Sequence, residues 1–545
     1  MTMSSTPSKS GQPSEVTTLL CDDKGLSEYT SGRWLWNEKK QLDCRRVLFS
    51  VTELAKAATK ATGSNSCIDI TKLPEGNFNK VFLMVMDDGK EIIAKLPNPN
   101  AGRPHLTTAS EVATMDFVRN VLKVPAPRVY AWDSSSANPV GAEYILMERV
   151  AGVELDKVWD DMPGEKRFQV VQKLAKYDAA FATSGLSMYG SLYYADDVPD
   201  ARPSQLIQHG QQSAQFAIGP TTNRAYFDNL RAEVDLDLGP WSTFDEYIRS
   251  RTEREHKCIS RFNQFPRQQG LFSGPGQYKP TAAAKSRVLT MFSQAAPLLT
   301  PKDPSLVKPT LWHPDLHTEN IFVDPDNPTN IVSIIDWQAV NIAPLFLQAR
   351  HPSLIEFEGP ITKGFEPINL PDDFESLSPE KQLEAKKLRS AQSLYKLYEV
   401  CLLQTCPEIF KALQVRESLP GQIFGLAGSI FSDGEPVLLG MLIRMHDEWV
   451  KTRGSSPLGI TLDDRENQKE DMRLWSQGVE LLADFLAKVG AYQGWDGWVN
   501  HNNYEVMRLR LQHCIESFLD QHATTEEKRR LWRTVLPFKD DDPEL

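Results

Sequence analysis

One stretch, residues 311–337, constrains what this chain can fold into more than any other part of its sequence. Two short apolar runs rich in β-branched residues, at 321–323 and 331–335, flank a polar loop of Asp, Pro, Asn and Thr at 324–330. Turn-forming residues packed between strand-forming residues are typical of a β-hairpin with a longer loop. We therefore predict a hairpin here and name the whole stretch the central hairpin.

The polar residues at one end of the central hairpin predict its chemistry. Because antiparallel strands place the start of the first beside the end of the second, Asn320 and Asp336 should meet, with Asp315 just upstream. An amide and a carboxylate held together are hard oxygen ligands suited to Mg²⁺, and Asp315 is left to accept a proton. Phosphoryl transfer requires both functions, a carboxylate for the attacking hydroxyl and ligands for the metal ion that binds the nucleotide phosphates. The alternative is a surface hairpin whose Asp and Asn residues only serve turns.

The order of these residues also carries a family resemblance. The motif His313-x-Asp315-x4-Asn320, followed by Ile-Asp-Trp at 335–337, resembles the catalytic loop and metal motif of the aminoglycoside phosphotransferase and choline kinase branch of the protein-kinase-like fold. The resemblance implies a bilobal α+β fold, with a small sheet lobe that binds ATP and a large, mainly helical lobe. It also implies that Asp315 and His313 are catalytic, with His313 orienting the loop, and that Asn320 and Asp336 bind Mg²⁺.

The small lobe is predicted from the pattern between residues 67 and 148. A helix at 51–61, capped by Ser50 or Thr52, precedes it. The sheet is expected to be antiparallel and to have a single helix, at 109–122, inserted after its third strand. Its five strands are predicted at residues 67–73, 80–86, 91–96, 129–132 and 142–148.

Two charged residues of this region are candidates for binding the nucleotide. Lys95, in the third strand, occupies the position where the kinase-like fold places the lysine that holds the α and β phosphates. Glu111 lies on the helix stripe that faces the sheet, and could pair with Lys95. The alternative is that Thr108 and Glu111 form a capping box, in which Glu111 only reaches back to its own helix start.

Backbone groups would complete the nucleotide site. The turn between the first two strands holds Gly76 and Asn77, where a small residue lets backbone amides approach phosphates. The resemblance places the hinge that binds the adenine at Met147, Glu148 and Val150.

From residue 153 onward the pattern is mainly helical. Helices are predicted at residues 164–183, 281–298, 382–404, 436–451, 470–489, 503–521 and 524–536. The part punctuated by Pro and Gly at 186–275 either caps the active site or packs around a large lobe, and the sequence does not decide between them. The predicted domains are a disordered tail at 1–28, a nucleotide-binding lobe with an N-terminal helical extension at 29–150, a helical lobe at 151–536 with its catalytic loop at 311–338, and an acidic tail at 537–545.

Charge and composition argue against several other functions. A formal net charge of -12 argues against nucleic acid or an anionic membrane surface as the main partner. No apolar run approaches the length of a membrane-spanning helix, so no integral membrane segment is expected. The 7 Cys residues lack metal-binding or redox spacing, which indicates reduced thiols inside a cell.

The compartment is predicted less directly. The runs at 34–38, 96–102 and 108–114 resemble fungal proteins named for altered inheritance of mitochondria, which implies a mitochondrial location. The N-terminal segment has only Lys9 as a basic residue before Lys24 and makes a poor presequence, so the cytoplasm is the alternative.

Our first hypothesis is an ATP- and Mg²⁺-dependent phosphotransferase that moves the γ-phosphate to a hydroxyl of a small molecule. The alternative is a catalytically silent nucleotide-binding scaffold in mitochondrial maintenance. A protein kinase is a third option, disfavoured because Ile-Asp-Trp replaces Asp-Phe-Gly and no Ala-Pro-Glu segment follows at 338–360.

Overall fold

The structure, a computed structural model, describes residues 23–197, 207–208, 211–212, 215–266, 268–362, 364 and 366–540. Residues 1–22 of the predicted disordered tail and 541–545 of the predicted acidic tail lie outside the described residues. The chain divides into two compact units. Unit 1 comprises Met1–Ser31, Leu42–Ala101 and Val129–Arg149, and unit 2 comprises Gly32–Gln41, Gly102–Arg128 and Val150–Leu545.

The α-helices are α1 (Asp23–Ser27), α2 (Glu38–Asp43), α3 (Val51–Thr62), α4 (Leu106–Asp116), α5 (Asp156–Trp159), α6 (Gly164–Ala182), α7 (Phe244–Arg261), α8 (Ala282–Leu299), α9 (Pro304–Val307), α10 (Leu345–Gln348), α11 (Pro379–Thr405), α12 (Pro407–Glu417), α13 (Leu419–Ala427), α14 (Glu435–Arg453), α15 (Leu462–Val489), α16 (Tyr504–His522) and α17 (Glu526–Val535). The strands are β1 (Arg33–Trp34), β2 (Cys67–Lys72), β3 (Asn79–Met86), β4 (Glu91–Pro97), β5 (Val129–Asp133), β6 (Tyr144–Glu148), β7 (Val153–Glu154), β8 (Ser191–Tyr194), β9 (Ile207–Gln208), β10 (Gln211–Gln212), β11 (Phe216–Gly219), β12 (Pro309–Trp312), β13 (Ile321–Val323), β14 (Ile331–Ile334), β15 (Asn341–Pro344) and β16 (Trp498–Val499).

Unit 1 is built around a five-stranded antiparallel sheet with the strand order β2-β3-β4-β6-β5. Alternation along β3 buries Phe82, Met84 and Met86 on one face, where they pack with Leu54 and Ala58 of α3. A slip of one residue would turn this apolar set away from the core, so burial fixes the register. All five predicted strands are confirmed.

The helix that covers this face is α3. Ser50 Oγ accepts a hydrogen bond from the backbone N–H of Glu53 (3.3 Å), and Gly63, with φ 72°, ends the helix in the left-handed conformation. Of the two predicted caps, Ser50 is confirmed and Thr52 is wrong, because Thr52 lies inside the helix.

Residues 23–28 depart from the predicted tail. Residues 23–27 form α1, and the carbonyl of Glu28 accepts from Lys80 Nζ (3.1 Å). Lys80 is fully buried and pairs with Glu75 (2.5 Å), and Glu75 also accepts from the backbone N–H of Thr30 (2.7 Å). A buried ion pair must fill its remaining hydrogen-bonding positions, and the segment at 28–31 does so.

Unit 2 is mainly helical, and every predicted helix from residue 164 onward is confirmed, with shifted ends. The largest shift is in α15, which begins at Leu462 rather than at 470. Thr461 and Asp464 form a capping box there and start the helix earlier. The large apolar core of unit 2 joins α8, α10 and α13, for example through Phe292, Phe346 and Phe424, whose rings meet at 5.3 Å and 5.5 Å.

Short antiparallel pairings surround the central hairpin in unit 2. Strand β13 pairs with both β14 and β7, and β12 pairs with β15. Gly152 precedes β7, and a Cβ at this position would lie 2.7 Å from the carbonyl oxygen of Val323. Only glycine lets the two backbones approach this closely. The sequence did not predict β7, β12 or β15.

The helix that carries Glu111 differs from its prediction in extent and in location. It begins at Leu106, and a π-helical turn at Phe117–Val121 continues it. It belongs to unit 2 rather than to the sheet unit, because it packs against the hairpin of β8 and β11. Tyr194 donates to Asp116 (2.8 Å), and Phe117 meets Phe216 edge-on (5.4 Å).

Taken together, the predicted α+β class is confirmed: an antiparallel five-stranded sheet is combined with a large, mainly helical region. The described residues contain no helix that is both long and apolar enough to cross a membrane.

Candidate active site

The central hairpin is confirmed. Strands β13 and β14 are antiparallel, with Ile321 opposite Ile334. At the end of this pair, the backbone N–H of Ile335 donates to the carbonyl of Asn320 (2.9 Å). The backbone positions of Asn320 and Asp336 are therefore brought to one end of the hairpin, as the pattern of the sequence predicts.

His313 is fixed by hydrogen bonds from both of its ring nitrogens. Its Nδ1 accepts from the backbone N–H of Asp315 (3.2 Å), so the ring proton lies on Nε2, which donates to the carbonyl of Ile335 (3.0 Å). Burial lowers the pKa of His313, and its ring packs edge-on against Trp337 (4.8 Å). The neutral ring thus ties the catalytic loop to the residue before Asp336, and the geometry supports an orienting role.

Asp315 and Glu319 are both accessible acids of the loop. The side chain of Asp315 is 68% exposed, and its Oδ2 lies 3.5 Å from His317 Nε2. His317 also lies 3.9 Å from Glu319. No role is predicted for His317 from the sequence, but its ring lies beside the carboxylate of Asp315.

The two predicted metal ligands are held differently. Asn320 is buried, and its Nδ2 donates to the backbone carbonyl of Asp315 (2.9 Å), which turns its Oδ1 into the atom that can serve a metal. Asp336 has a left-handed backbone with φ 60°. This conformation is uncommon outside Gly, Asn and Asp, and it is anchored by Trp337, fully buried, whose Nε1 donates to the carbonyl of Ile334 (2.8 Å).

The donor set fits magnesium bound together with a nucleotide. No group of three or more His, Cys, Asp or Glu side chains able to hold a metal occurs within the described ranges. Mg²⁺ characteristically takes one or two protein oxygens and obtains its other ligands from phosphates and water. One amide oxygen and one carboxylate therefore suit this ion.

Side chains from other segments brace the catalytic loop. Arg350 Nη1 donates to the carbonyl of Pro314 (3.2 Å), and Ser353 Oγ donates to the carbonyl of Leu316 (3.2 Å). On the other side of the loop, Thr318 donates to Asp156 (2.9 Å). The first two bonds satisfy loop carbonyls, and all three tie the loop to other segments.

A cavity of about 240 Å³ opens beside Asp315, and we name it the hairpin cavity. Its volume is below the roughly 300–1,000 Å³ typical of sites for drug-sized ligands, so it suits a small molecule. It is lined by Asp178, Trp312, His313, Pro314, Asp315, Leu316, Arg350, His351, Pro352, Ser353 and Glu356. None of the described residues that line the cavity comes from the part at 186–275.

A buried acid lines the hairpin cavity. Asp178 of α6 is 2% exposed and accepts from the hydroxyl of Tyr398 in α11 (2.7 Å). Burial raises the pKa of Asp178 to about 7. Beside it, His351 stacks on Tyr395 (3.9 Å) and lies 3.5 Å from Glu399.

Asp178, Arg350 and His351 were not predicted from the sequence, because folding brings them to the cavity from separate segments. Of these three residues, only Asp178 could have been recognised from the sequence, because it is an acid on the buried stripe of α6 between Leu174 and Phe181.

In unit 1, the predicted nucleotide-binding residues lie on and beside the sheet. Lys95 stands opposite Ile145 in the β4–β6 ladder, and Ile93 stands opposite Met147, so Lys95 and Met147 share the sheet face away from α3. Glu148 is opposite Ile92 and therefore on the other face.

The turn before β3 holds Gly76 and Asn77. The carbonyl of Asn77 accepts from Asn100 (3.2 Å), and a Cβ at Gly76 would meet nothing within 4 Å. The backbone of Gly76 does not need a positive φ either. The fold of the turn therefore does not itself require glycine at position 76. The close approach of a ligand to the backbone would explain a glycine here.

Glu111 and Val150 belong to unit 2. Glu111 is buried (3% exposed), and the helix cap lies at His105, so the capping-box alternative through Thr108 is wrong. Pairing of Glu111 with Lys95 stays a prediction, as does the assembly of one nucleotide site from both sets of residues.

Comparison with known proteins gives the family. The phosphotransferase enzyme family matches residues 69–346 of this chain. A subtelomeric hrmA-associated cluster protein of Aspergillus fumigatus is 34% identical over 62% of this chain and 69% of its own length. The altered inheritance of mitochondria protein 9, mitochondrial, of Yarrowia lipolytica is 25% identical over 88% of this chain and 85% of its own length. Among solved structures, the aminoglycoside phosphotransferase APH(4)-Ia is similar, with 14% identity, a TM-score of 0.33, and coverage of 79% of this chain and 99% of its own.

The chain belongs to the phosphotransferase enzyme family. Its relatives include the fungal proteins named for altered inheritance of mitochondria. Both parts of the predicted resemblance are thereby confirmed.

Proposed function

We propose that this protein is an ATP- and Mg²⁺-dependent phosphotransferase that moves the γ-phosphate of ATP to a hydroxyl group of a small molecule. One observation supports this most: the loop that orients Asn320 at the end of the central hairpin also presents the exposed carboxylate of Asp315 at the hairpin cavity. A protein that only bound nucleotides would need no acid at such a cavity.

In this proposal, Asp315 orients the acceptor hydroxyl and takes its proton. The hydroxyl oxygen forms a bond to the γ-phosphorus, the bond from that phosphorus to the bridging oxygen breaks, and ADP leaves with the electron pair. His313 keeps Asp315 in place through the backbone hydrogen bond to its Nδ1. Most of the rate acceleration would come from positioning and from neutralising phosphate charge.

Binding of Mg²⁺ is assigned to Asn320 and Asp336, and the ion would neutralise charge on the nucleotide phosphates. Lys95 would hold the α and β phosphates, with Glu111 positioning its ammonium.

The remaining nucleotide contacts are assigned to backbone groups. Gly76 and Asn77 would approach the phosphates through their amides, and Met147, Glu148 and Val150 would bind the adenine. The open space around Gly76 supports this assignment.

We also propose a mitochondrial location. Relatives that match over most of their length are named mitochondrial proteins. Imaging of the full-length chain fused at its C-terminus to a fluorescent protein would test this proposal, and a purely cytoplasmic signal would contradict it.

The activity is tested by transfer of label from [γ-³²P]ATP to small molecules of a desalted fungal metabolite extract. Wild type should produce labelled, low-molecular-weight products only when Mg²⁺ is present. Asp315→Asn should bind ATP as wild type does and form the product at least about 100-fold more slowly. ATP binding by wild type without any product would contradict the proposal and favour the nucleotide-binding scaffold.

A further inference from the structure

The hairpin cavity contains a cation that the proposed reaction does not itself use. Arg350 follows α10, remains accessible to solvent, and lines the cavity together with Asp315. Its Nη1 donates to the carbonyl of Pro314 (3.2 Å), and its Nε lies at bonding distance from the carbonyl of Gln348 (3.4 Å). Two backbone carbonyls therefore hold the guanidinium at the edge of the catalytic loop.

Arg350 forms no ion pair with any residue that the structure describes, and its only hydrogen bonds there are the two to backbone carbonyls. A guanidinium has five N–H donors, so three of them, including both on Nη2, point to no described acceptor. Glu356 and Asp315 share the cavity, and the charges of both carboxylates act on Arg350 from beyond ion-pair distance. The guanidinium group of Arg350 is therefore held through Nε and Nη1, and its Nη2 side has no described acceptor.

The buried acid at the cavity wall, Asp178, is not among the described carboxylates whose charge acts on Arg350. Asp178 is bonded to Tyr398, and burial raises its pKa to about 7. At neutral pH it therefore carries only part of a charge, and it can donate a hydrogen bond when it is protonated. Its surroundings suit a neutral polar group of a ligand.

We propose that the acceptor carries an oxyanion, either a carboxylate or a phosphate, in addition to the hydroxyl that is phosphorylated, and that Arg350 binds this oxyanion. A guanidinium matches the two oxygens of a carboxylate or phosphate with parallel hydrogen bonds. Because Arg350 and Asp315 line one small cavity, the acceptor's oxyanion and hydroxyl must belong to one small molecule. This inference rests on the proposed phosphotransferase function.

The experiment separates the fungal metabolite extract by ion exchange at pH 7 into anion-retained, cation-retained and unretained fractions, with endogenous nucleotides removed. Each fraction is incubated with [γ-³²P]ATP, Mg²⁺ and wild-type protein. The labelled product should arise from the anion-retained fraction. Product from the cation-retained or unretained fraction alone would overturn the inference and leave the proposed function standing. No product from any fraction would overturn both.

Variants of Arg350 show whether this side chain binds the oxyanion. With the active fraction, Arg350→Gln should raise the KM for the acceptor about 10- to 100-fold and leave the KM for ATP unchanged. Arg350→Lys, which keeps the charge but loses the fork, should recover part of the loss. Arg389→Gln is the matched control, because Arg389 also donates to a backbone carbonyl, that of Ile368 (3.0 Å), outside the cavity. A fall in kcat alone, with the acceptor KM unchanged, would mean that Arg350 only braces Pro314 and would overturn the inference.

The source of the oxyanion is separated by treating the active fraction with alkaline phosphatase before the assay and then removing the phosphatase. Loss of the acceptor identifies a phosphate monoester, and retention identifies a carboxylate. A phosphatase-treated acceptor that no longer binds an anion exchanger yet is still phosphorylated with unchanged KM would contradict a role for the oxyanion.

Discussion

The central hairpin and the hairpin cavity lie side by side in unit 2, yet they are built in opposite ways. In the hairpin, His313, Asp315, Asn320 and Asp336 come from one short stretch, and nearby backbone groups hold most of them. The cavity adds residues from α6 and from 350–356, and the hydroxyl that engages its buried acid comes from α11.

In the proposed function, the hairpin residues carry out the reaction and the cavity residues select the acceptor. The hairpin residues assigned to the reaction are positioned mainly by local turns and one strand pairing, and Arg350, Ser353 and Asp156 brace their loop from other segments. The cavity residues that we propose meet the acceptor depend on the packing of distant segments, such as α6 against α11. We therefore expect a variant of Asp315 to change kcat, and variants of the cavity residues Arg350 and Asp178 to change acceptor affinity or stability.

The largest effect is expected at Asp315. Asp315→Asn removes the proton acceptor without changing the size of the side chain, and should lower kcat by about 10²- to 10⁴-fold. Steady-state transfer with the active metabolite fraction measures this change, and the KM for ATP should stay within about twofold of wild type. Asp326→Asn, an equal change of charge in the exposed loop of the same hairpin, is the control. An unchanged kcat in Asp315→Asn would contradict the proposal that the central hairpin carries out the reaction while the hairpin cavity selects the acceptor.

The buried acid of the cavity should show its effect in stability. The pKa of Asp178, near 7 in the folded protein and 3.8 as its ordinary value, means that the unfolded chain loses this proton first as pH rises. Asp178 therefore lowers the free energy of unfolding progressively between about pH 4 and pH 7. Asp178→Asn removes this cost, and should raise the free energy of unfolding by on the order of 2–4 kcal/mol at pH 8 and by little at pH 4.

Urea unfolding of wild type and Asp178→Asn at the two pH values measures this effect. Tyr398 can still donate to the amide oxygen of the variant, so the hydrogen bond itself is kept. An equal change at both pH values would contradict the assigned titration of Asp178.

A smaller change, and a loss rather than a gain of stability, is expected in the hairpin at His313. His313→Phe keeps a ring against Trp337 but removes both hydrogen bonds, to the backbone of Asp315 and of Ile335. The carbonyl of Ile335 loses its donor, which should lower the free energy of unfolding by about 1–3 kcal/mol. Denaturation at pH 8, where the ring is neutral, measures this loss, and a variant as stable as wild type would show that the ring does not hold the loop.

The smallest effect is expected in the turn of unit 1. Gly76→Ala should leave the melting temperature unchanged, because a Cβ there meets no atom within 4 Å. It should weaken ATP binding by about 2- to 10-fold if backbone amides of this turn approach the phosphates. Gly459→Ala is the matched control, since its Cβ also meets nothing and its φ is not positive. Equal ATP affinity in both variants would remove Gly76 from the site.

Sequence patterns predicted the hairpin and the five-stranded sheet because both depend on local signals, namely alternation, turn residues and caps. The strand pairings at Asn320 and along β3 followed directly from that alternation. The sequence patterns did not predict that α4 belongs to unit 2, because its partners Tyr194 and Phe216 lie far along the chain.

The acceptor side of the site escaped prediction for the same physical reason. Asp178 and Tyr398 meet only after α6 and α11 have packed together, and no spacing in the sequence records that contact. No motif or spacing around Arg350 indicates a function in the sequence. Its role is suggested only by its position in the cavity beside Asp315.

Magnesium-dependent binding of ATP to Asp336→Asn tests the central claim most directly. Asn accepts the left-handed backbone that Asp336 adopts, so this substitution removes a charge without adding strain. The rise in melting temperature produced by ATP should be larger with Mg²⁺ than with EDTA in wild type and in Asp326→Asn, and this difference should vanish in Asp336→Asn. An Asp336→Asn variant that keeps the full magnesium-dependent rise would contradict the account.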